Sequence, residues 1–502
     1  MLYYHTQLPW EYTTDSPIRN LFYPLTYIGT GASLYKYITH YSTNNIYALF
    51  ICIKLIPFIS TLLHDLLISQ LCTTLRYTMQ QRTTVLMVYG SVWCTLVLST
   101  HTFSNNLESL LVSFTQLLII KKYYKLCGII ISIGLFTRVS YIAFIIPVLI
   151  YAIDQHSKSF TTLKYIQSAL QLAGTMMLSF VPISVLLILA DSYYYTTLQS
   201  IVITPYNFIK YNTNTANLSL HGTHPYYTHT TINMLILCGP LYIYAIVQLI
   251  QAVQTQLSRT AVYPLHHTMA TKYMLLASAM SGVFMLSLAP HQEARFCLPA
   301  VPILCILCSN NMLYTQSHKT TGENHKPDQS FKLNRATMYL WIVFNVMLAS
   351  IYGVIHQGGV IRSLVYMNHI AHQHTLPTTI IYYHTYMTPQ SLIQQSINST
   401  RIVLYDMNGL QYHSFIPVLK QIKSRHSSRA KIVDSIDSVC STSLYMIAPG
   451  SITFDVAAGL QFDQINVIYP HISFESPPWE SDLSLTLYDI MSRSTLNIYC
   501  IK

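Results

Sequence analysis

Two uncharged stretches, residues 273–289 and 296–308, flank the polar turn Pro290-His291-Gln292-Glu293-Ala294-Arg295-Phe296, and this alternation constrains the fold more than any other feature. An apolar run of about 17–20 residues is long enough to cross a bilayer as a helix, where each backbone N–H and C=O must be satisfied inside the segment. Such runs recur at 46–63, 84–100, 107–120, 126–152, 169–190, 232–250, 273–289, 296–314 and 338–355. With 9% charged and 51% hydrophobic residues, the chain has too little charge to cover a water-soluble surface. The net charge of +10 is spread over loops and forms no patch, so no nucleic-acid partner is expected; the expected surroundings are membrane lipid.

The spacing predicts an α-helical multi-span membrane protein in three parts. Residues 1–45 form a segment whose Tyr-rich run lies along the membrane surface, 46–355 a transmembrane core of about nine apolar runs, and 356–502 a small water-facing α/β domain. Short apolar segments there, Ile402-Val-Leu-Tyr, Lys431-Ile-Val, Ser443-Leu-Tyr-Met-Ile and Asn466-Val-Ile-Tyr, alternate with turns as strands do. Loops 64–83, 121–125, 154–168, 251–272 and 315–335 hold thirteen Lys and Arg, whereas 1–45, 101–106, 191–231 and 290–295 hold only Arg19, Lys36, Lys210 and Arg295. The first set is therefore expected in the cytosol, and the second, with the C-terminal domain, in a lumen. Two basic loops flank 126–152 on the same side, and half of that run is only about 20 Å of helix. It should therefore break near Thr137-Arg138, beside protein or a water-filled cavity. The same parity puts residues 1–45 in the lumen with nothing before them to carry them across, so an N-terminal span is expected to be missing from the sequence.

Several residues are placed for chemistry. Charge beside a membrane boundary is costly unless it serves something, which singles out His291, Gln292, Glu293 and Arg295, although a solvated helix–helix turn would also be polar. Arg138 and the acids Glu108 and Asp191 fall at the ends of apolar runs, where acids either bind ligand hydroxyls or cap helices. The 191–231 loop carries Asn207, His221, His224 and His229 among hydroxyls and aromatic rings, a composition suited to sugars. The three histidines have no specific ligand spacing, and no metal is expected. Cys305 and Cys308 form a CxxC on an apolar run with no second pair, which reads as packing. Cys440 and Cys500 could be oxidised together in a lumen. The sequons at Asn217 and Asn398 fall on the proposed luminal side.

His291-Gln-Glu-x-Arg-Phe296 resembles the hallmark loop of the dolichyl-phosphate-mannose-dependent mannosyltransferases of the endoplasmic reticulum, glycosyltransferase family 22. The second-place Gln is similar to the branch that adds the fourth mannose to the glycosylphosphatidylinositol (GPI) anchor. Asn217-Leu-x-x-His-Gly-x-His-Pro225 with Thr228-His229 and Asn233, Tyr206-Asn-Phe208 to Tyr211-Asn212, Phe103-Ser-Asn-Asn-Leu-Glu108, the Arg138 break, His356-Gln-Gly-Gly-Val360 and Tyr383-His-Thr-Tyr-Met387-x-Pro389 resemble the same branch in chain order, from about residue 9 to 390. The resemblance implies a GT-C fold in the endoplasmic reticulum membrane, with the active site facing the lumen. It implies α-1,2 transfer of mannose from dolichyl phosphate mannose to the third mannose of a lipid-linked glycan, with no cofactor. Arg295 would then meet the donor phosphate with His291, Gln292 and Arg138 beside it, and Glu293 would orient Arg295; Glu108, Asp191, Asn207, His221, His224 and His229 would face the acceptor or its sugar.

The family's usual base is an acid of a His-Pro-Asp-Glu segment in the first luminal loop, and the resemblance begins downstream of it. Glu11 and Asp15 are the acids near that place, with Glu293 a third candidate. An absent N-terminus is thus expected from family and topology alike. Other readings remain open: a related mannosyltransferase acting on the third GPI mannose or a lipid-linked oligosaccharide, an inactive glycan-lipid-binding paralogue, or a transporter with broken helices.

Overall fold

A computed structural model describes residues 9–15, 17–39, 45–157, 162–214, 217, 222–257, 267–318, 329–373, 377–389, 392, 402–407, 409–429, 440, 442–454, 459–474, 476–479 and 486–502. They fall into two compact units, one of Leu8–Ser33 with Ile53–Met347 and one built chiefly of Leu34–Cys52 with Leu348–Lys502.

Among the described residues, four helices are long and apolar enough to cross a membrane: Ile46–Thr74, Thr162–Thr196, Thr268–Ser287 and Arg335–Ile355. The other apolar runs form shorter helices, and a physical cause can be named for each interruption. The 126–152 run breaks where its length requires, with helix Tyr124–Thr137 ending on Arg138, whose φ of −156° and ψ of 130° are extended. Helix Tyr141–His156 starts three residues later. The 232–250 run divides at Gly239, whose φ of +45° suits a residue without Cβ. The Phe344 ring occupies the space a Cβ would need. The 84–100 run stops early because helix Met79–Ser91, opened by a Thr78–Gln81 capping box, ends on extended Val92. A single turn, Trp93–Leu96, follows, and Asn345 Oδ1 accepts the Trp93 backbone N–H at 2.8 Å.

Small residues let the remaining helices approach closely, as membrane packing requires. Tyr124–Thr137 lies against Thr162–Thr196, with Gly128 set on the Met176 carbonyl. Tyr141–His156 packs on the helix holding Gly282, whose bare Cα faces the Phe144 ring. Ser104–Ile120 touches both halves of the broken run, so its first turn lies near the break at Arg138. A hairpin of β1 (Tyr314–His318) and β2 (Gln329–Leu333) precedes the last long helix.

The second unit holds a mixed five-stranded sheet of β3 (Thr378–Tyr382), β4 (Ile402–Asp406), β5 (Leu444–Pro449), β6 (Phe462–Ile468) and β7 (Leu496–Ile501), ordered β4-β3-β5-β7-β6. β3 runs parallel to β4 and β5, while β7 is antiparallel to β5 and β6. Helix Tyr412–Arg429 supplies Phe415, Leu419 and Ile422 to a core with Ile381, Met446 and Ile501. All of β5 is buried, which is why it reads as an unbroken apolar run. A disulfide joins Cys440, ahead of β5, to Cys500 in β7.

Gly239→Ala should lower the thermal midpoint of the purified protein, since it adds both left-handed strain and a collision with Phe344, a loss of about 1–3 kcal/mol. Gly174→Ala, in a helix with open space around it, should leave the midpoint unchanged or raise it.

Candidate active site

Beginning at the break, the Arg138 side chain turns back onto the first turn of Ser104–Ile120. Its Nε lies 3.1 Å from Glu108 Oε2, its Nη1 donates to Ser104 Oγ at 3.0 Å, and its Nε donates to Ser140 Oγ at 3.2 Å. Ser140 donates to Glu108 Oε1 at 2.5 Å, and Asn105 Nδ2 donates to Oε2 at 3.3 Å. Glu108 is fully buried. A carboxylate in such a place survives only if donors satisfy it, and Arg138, Ser140 and Asn105 do so.

The 290–296 turn supplies the second cation. Arg295 Nε is 2.5 Å from Glu293 Oε2, and its Nη2 donates to Oε1 at 2.9 Å. The His291 Nε2 lies 2.9 Å from the same Oε1. Burial alone would push the Glu293 carboxyl up, but the bonds from His291 and Arg295 outweigh it and hold it at about 2. With the pKa depressed, the pair is fully formed above the ordinary carboxylate range and is lost only as pH falls through about 2. Glu293 is thus a fixed anion that aims Arg295. The Arg295 guanidinium lies 4.8 Å from the Phe103 ring centroid and 5.9 Å from that of Phe296. Arg138 is 5.1 Å from the same Phe296 ring, so the two cations, 157 residues apart in sequence, share one aromatic neighbour.

Gln292 anchors the turn. Its Oε1 accepts the His229 backbone N–H at 3.0 Å, and its Nε2 donates to the carbonyls of Ser287 and Ala289. The backbone N–H of Gln292 donates to His224 Nδ1 at 3.3 Å, and the His224 N–H donates to the Pro290 carbonyl at 2.8 Å. Asn233 Nδ2 lies 2.9 Å from His229 Nδ1. His224 and His229 thus brace the Arg295 turn from the 191–231 segment; His221 lies outside the described residues.

The other acids serve a second knot. Asp191, fully buried, accepts from Asn20 Nδ2 at 2.7 Å, the Leu21 backbone N–H at 3.2 Å and Thr204 Oγ1 at 2.8 Å. Asn207 donates to the Pro17 carbonyl at 3.0 Å, and Tyr195 donates to the Arg19 carbonyl at 2.7 Å. Together they tie segment 17–21 to the end of Thr162–Thr196. Within that segment Arg19 pairs with Glu11 at 2.9 Å; Asp15 is exposed. Burial pushes the Tyr12 phenol up to about 12, with Arg19 opposing, and Tyr12 also feels the charges of Glu11, Arg138 and Asp191. Asn217 donates to the Tyr211 carbonyl at 3.1 Å, and Asn398 lies outside the described residues.

Sequence reading gave no site role to Tyr12, Asn20, Ser104, Asn105, Ser140 or Thr204, although Ser104 and Asn105 lie in the Phe103–Glu108 motif it singled out. A signal existed for Asn105, three residues before Glu108, and for Ser140, two after Arg138. Asn20, 171 residues from Asp191, left none.

Cations held by carboxylates at the ends of apolar helices suit an enzyme that handles an anionic group at a membrane, and comparison with known sequences gives its class, a glycosyltransferase. The profile of the Alg9-like mannosyltransferase family matches residues 1–393, and the chain belongs to that family. It is 26% identical over 479 residues to GPI mannosyltransferase 4 of Debaryomyces hansenii, covering 88% of this chain and 82% of the relative. Human GPI alpha-1,2-mannosyltransferase 4 is 27% identical over 458 residues, covering 82% of this chain and 73% of the relative. GPI mannosyltransferase 4 of Emericella nidulans is 27% identical over 548 residues, covering 99% and 91%. No solved structure matches.

Glu108→Gln should destabilise the purified protein by about 3–5 kcal/mol, because it strands a buried cation. Glu108→Gln with Arg138→Met should recover much of that loss in the same thermal unfolding measurement. Equal instability of the single and double variants would show that the ion pair is not what the site depends on.

Proposed function

We propose that the chain is a GT-C mannosyltransferase of GPI-anchor synthesis that moves mannose from dolichyl phosphate mannose, in α-1,2 linkage, to the third mannose of a lipid-linked GPI precursor. The observation that carries this reading is the pair of guanidiniums, Arg295 and Arg138, each held by its own carboxylate and both set on Phe296. The names of the curated relatives support the pathway and, for the human one, the linkage.

The chemistry follows from charge. An acceptor hydroxyl attacks the anomeric carbon, the bond from that carbon to the phosphate oxygen breaks, and the lipid phosphate leaves with the electron pair. Negative charge gathers on the phosphate, and prealigned cations stabilise it without reorganising. Arginine matches phosphate geometry with paired N–H donors. Glu293 and Glu108 keep the two cations in place between turnovers. The acceptor proton passes to a carboxylate; Glu11 and Glu293 both keep partly exposed side chains. The four long apolar helices support a membrane location. The Cys440–Cys500 disulfide supports an oxidising compartment for the second unit, consistent with the lumen of the endoplasmic reticulum.

Arg295→Ala should reduce mannose transfer at least a hundredfold, by about 3 kcal/mol of transition-state stabilisation, in microsomes given labelled donor, with protein abundance unchanged. Arg295→Lys should retain part of the rate, since it keeps the charge and loses the fork. Undiminished transfer by Arg295→Ala would remove the phosphate role.

A further inference from the structure

The sheet of the second unit has two unlike ends. β4, β3 and β5 are parallel, and β6, antiparallel to β7 as β5 is, points its carboxyl end the same way. Toward the amino ends, helix Tyr412–Arg429 is anchored by His426, whose Nδ1 lies 2.9 Å from Thr379 Oγ1. Gln421, Ser424 and Arg425 are exposed there, and among the described residues of that helix no large apolar side chain is exposed. The carboxyl ends are the reverse. The segments that follow β3 and β6 expose 54% of Tyr386, 62% of Met387, 56% of Tyr469 and 45% of Phe474. Neither 383–389 nor 469–474 contains Asp, Glu, Lys or Arg.

This apolar end is fastened to the end of an apolar helix. Arg335–Ile355 has 21 residues, about 30 Å of helix, which matches the hydrocarbon core of a bilayer. Val343, Val346 and Met347 are exposed along it. Its last turn, Ile351–Ile355, belongs to the second unit and falls where that core ends. There the Ile472 N–H donates to the Ile355 carbonyl and the Gln357 N–H to the Ile472 carbonyl, both at 3.0 Å. The Phe474 ring stacks on His356 with centroids 4.4 Å apart and meets Tyr352 at 5.9 Å. The Tyr386 hydroxyl lies 2.8 Å from His356 Nε2, and the Tyr386 N–H donates to Gln357 Oε1 at 3.2 Å. Both uncharged segments are thus held at the level where the helix ends.

Single exposed aromatics need no explanation, but several together without charge mark a surface that meets something apolar. Rings with one polar atom collect where lipid headgroups meet acyl chains. A cation stands at the rim: Arg362 is exposed and donates to the Tyr469 carbonyl, and its long stem suits a headgroup layer, where the guanidinium meets phosphate. We propose that the carboxyl ends of β3 and β6 rest in the headgroup layer of the bilayer that Arg335–Ile355 crosses, a placement that rests on that helix being a span. Tyr386, Met387 and Phe474 lie at the acyl boundary and Arg362 lies among the phosphates.

The test places the full chain in phosphatidylcholine nanodiscs that carry one of two photoactivatable lipids. One has a diazirine at the carbonyl end of its acyl chain, the other at the methyl end. After irradiation, the labelled peptides are mapped by mass spectrometry. The shallow probe should label 383–389 and 469–474 and leave 421–425 unlabelled, while the deep probe should label 340–347. In Met387→Glu with Phe474→Glu, the two loops should lose most of the shallow labels while 340–347 keeps the deep ones, which shows that the helix still spans. Deep labels at 340–347 with both loops unlabelled would overturn the proposal and leave the span intact. Equal shallow labelling of 421–425 and the loops, or undiminished loop labelling in the double variant, would also overturn it. Deep labels absent from 340–347 would remove the span and the proposal with it. Labelling needs no donor or turnover, so loss of the transferase reading would show separately, as absent mannose transfer with these labels in place.

Discussion

A charge carried among apolar helices has to bring its partner with it, and the pairing of Glu108 with Arg138 is where this chain meets that demand. Arg138 needs a helix break to reach Glu108, and the break needs neighbours that satisfy the freed backbone. Ser140 supplies a bridge by accepting from one ion and donating to the other. Phe296, beside the same guanidinium, draws in the turn that carries Arg295. Removing either ion strands the other in a place where water cannot compensate, so stability and function draw on the same atoms.

The second cation is held differently. Arg295 and Glu293 are two residues apart and a third exposed, so their local geometry is almost self-contained, but their position depends on Gln292 and, through it, on the 191–231 segment. One cation fixed by burial and one fixed by a braced turn give a site with a rigid side and an open side. That arrangement suits a reaction in which a lipid-borne group must enter and leave.

Much of this was legible in order and little of it in contact. Uncharged runs located the helices because bilayer thickness leaves few alternatives, and the length of 126–152, with basic loops on both flanks, placed the break near Thr137-Arg138. The polar turn at 290–296 stood out because its neighbours carry no charge. The stops at Val92 and Gly239 were not legible, since Asn345 and Phe344, more than a hundred residues away, decide them. The same distance hid the role of Asp191, whose partner Asn20 is 171 residues off. In the second unit, β4, β5 and β6 matched apolar segments seen in the sequence, and Lys431-Ile-Val lies outside the described residues. β3 and β7 were passed over, because Thr378-Thr-Ile-Ile-Tyr and Leu496-Asn-Ile-Tyr-Cys-Ile lie beside polar stretches that blur their period.

The bond between Cys440 and Cys500 closes a covalent ring that contains β5, β6 and nearly all of β7. A single backbone cut anywhere inside that ring opens it into a line without releasing either end. The final strand, which lies between β5 and β6, thus stays attached to the chain after a nick that would otherwise shed it, and only reduction together with cleavage sets it loose.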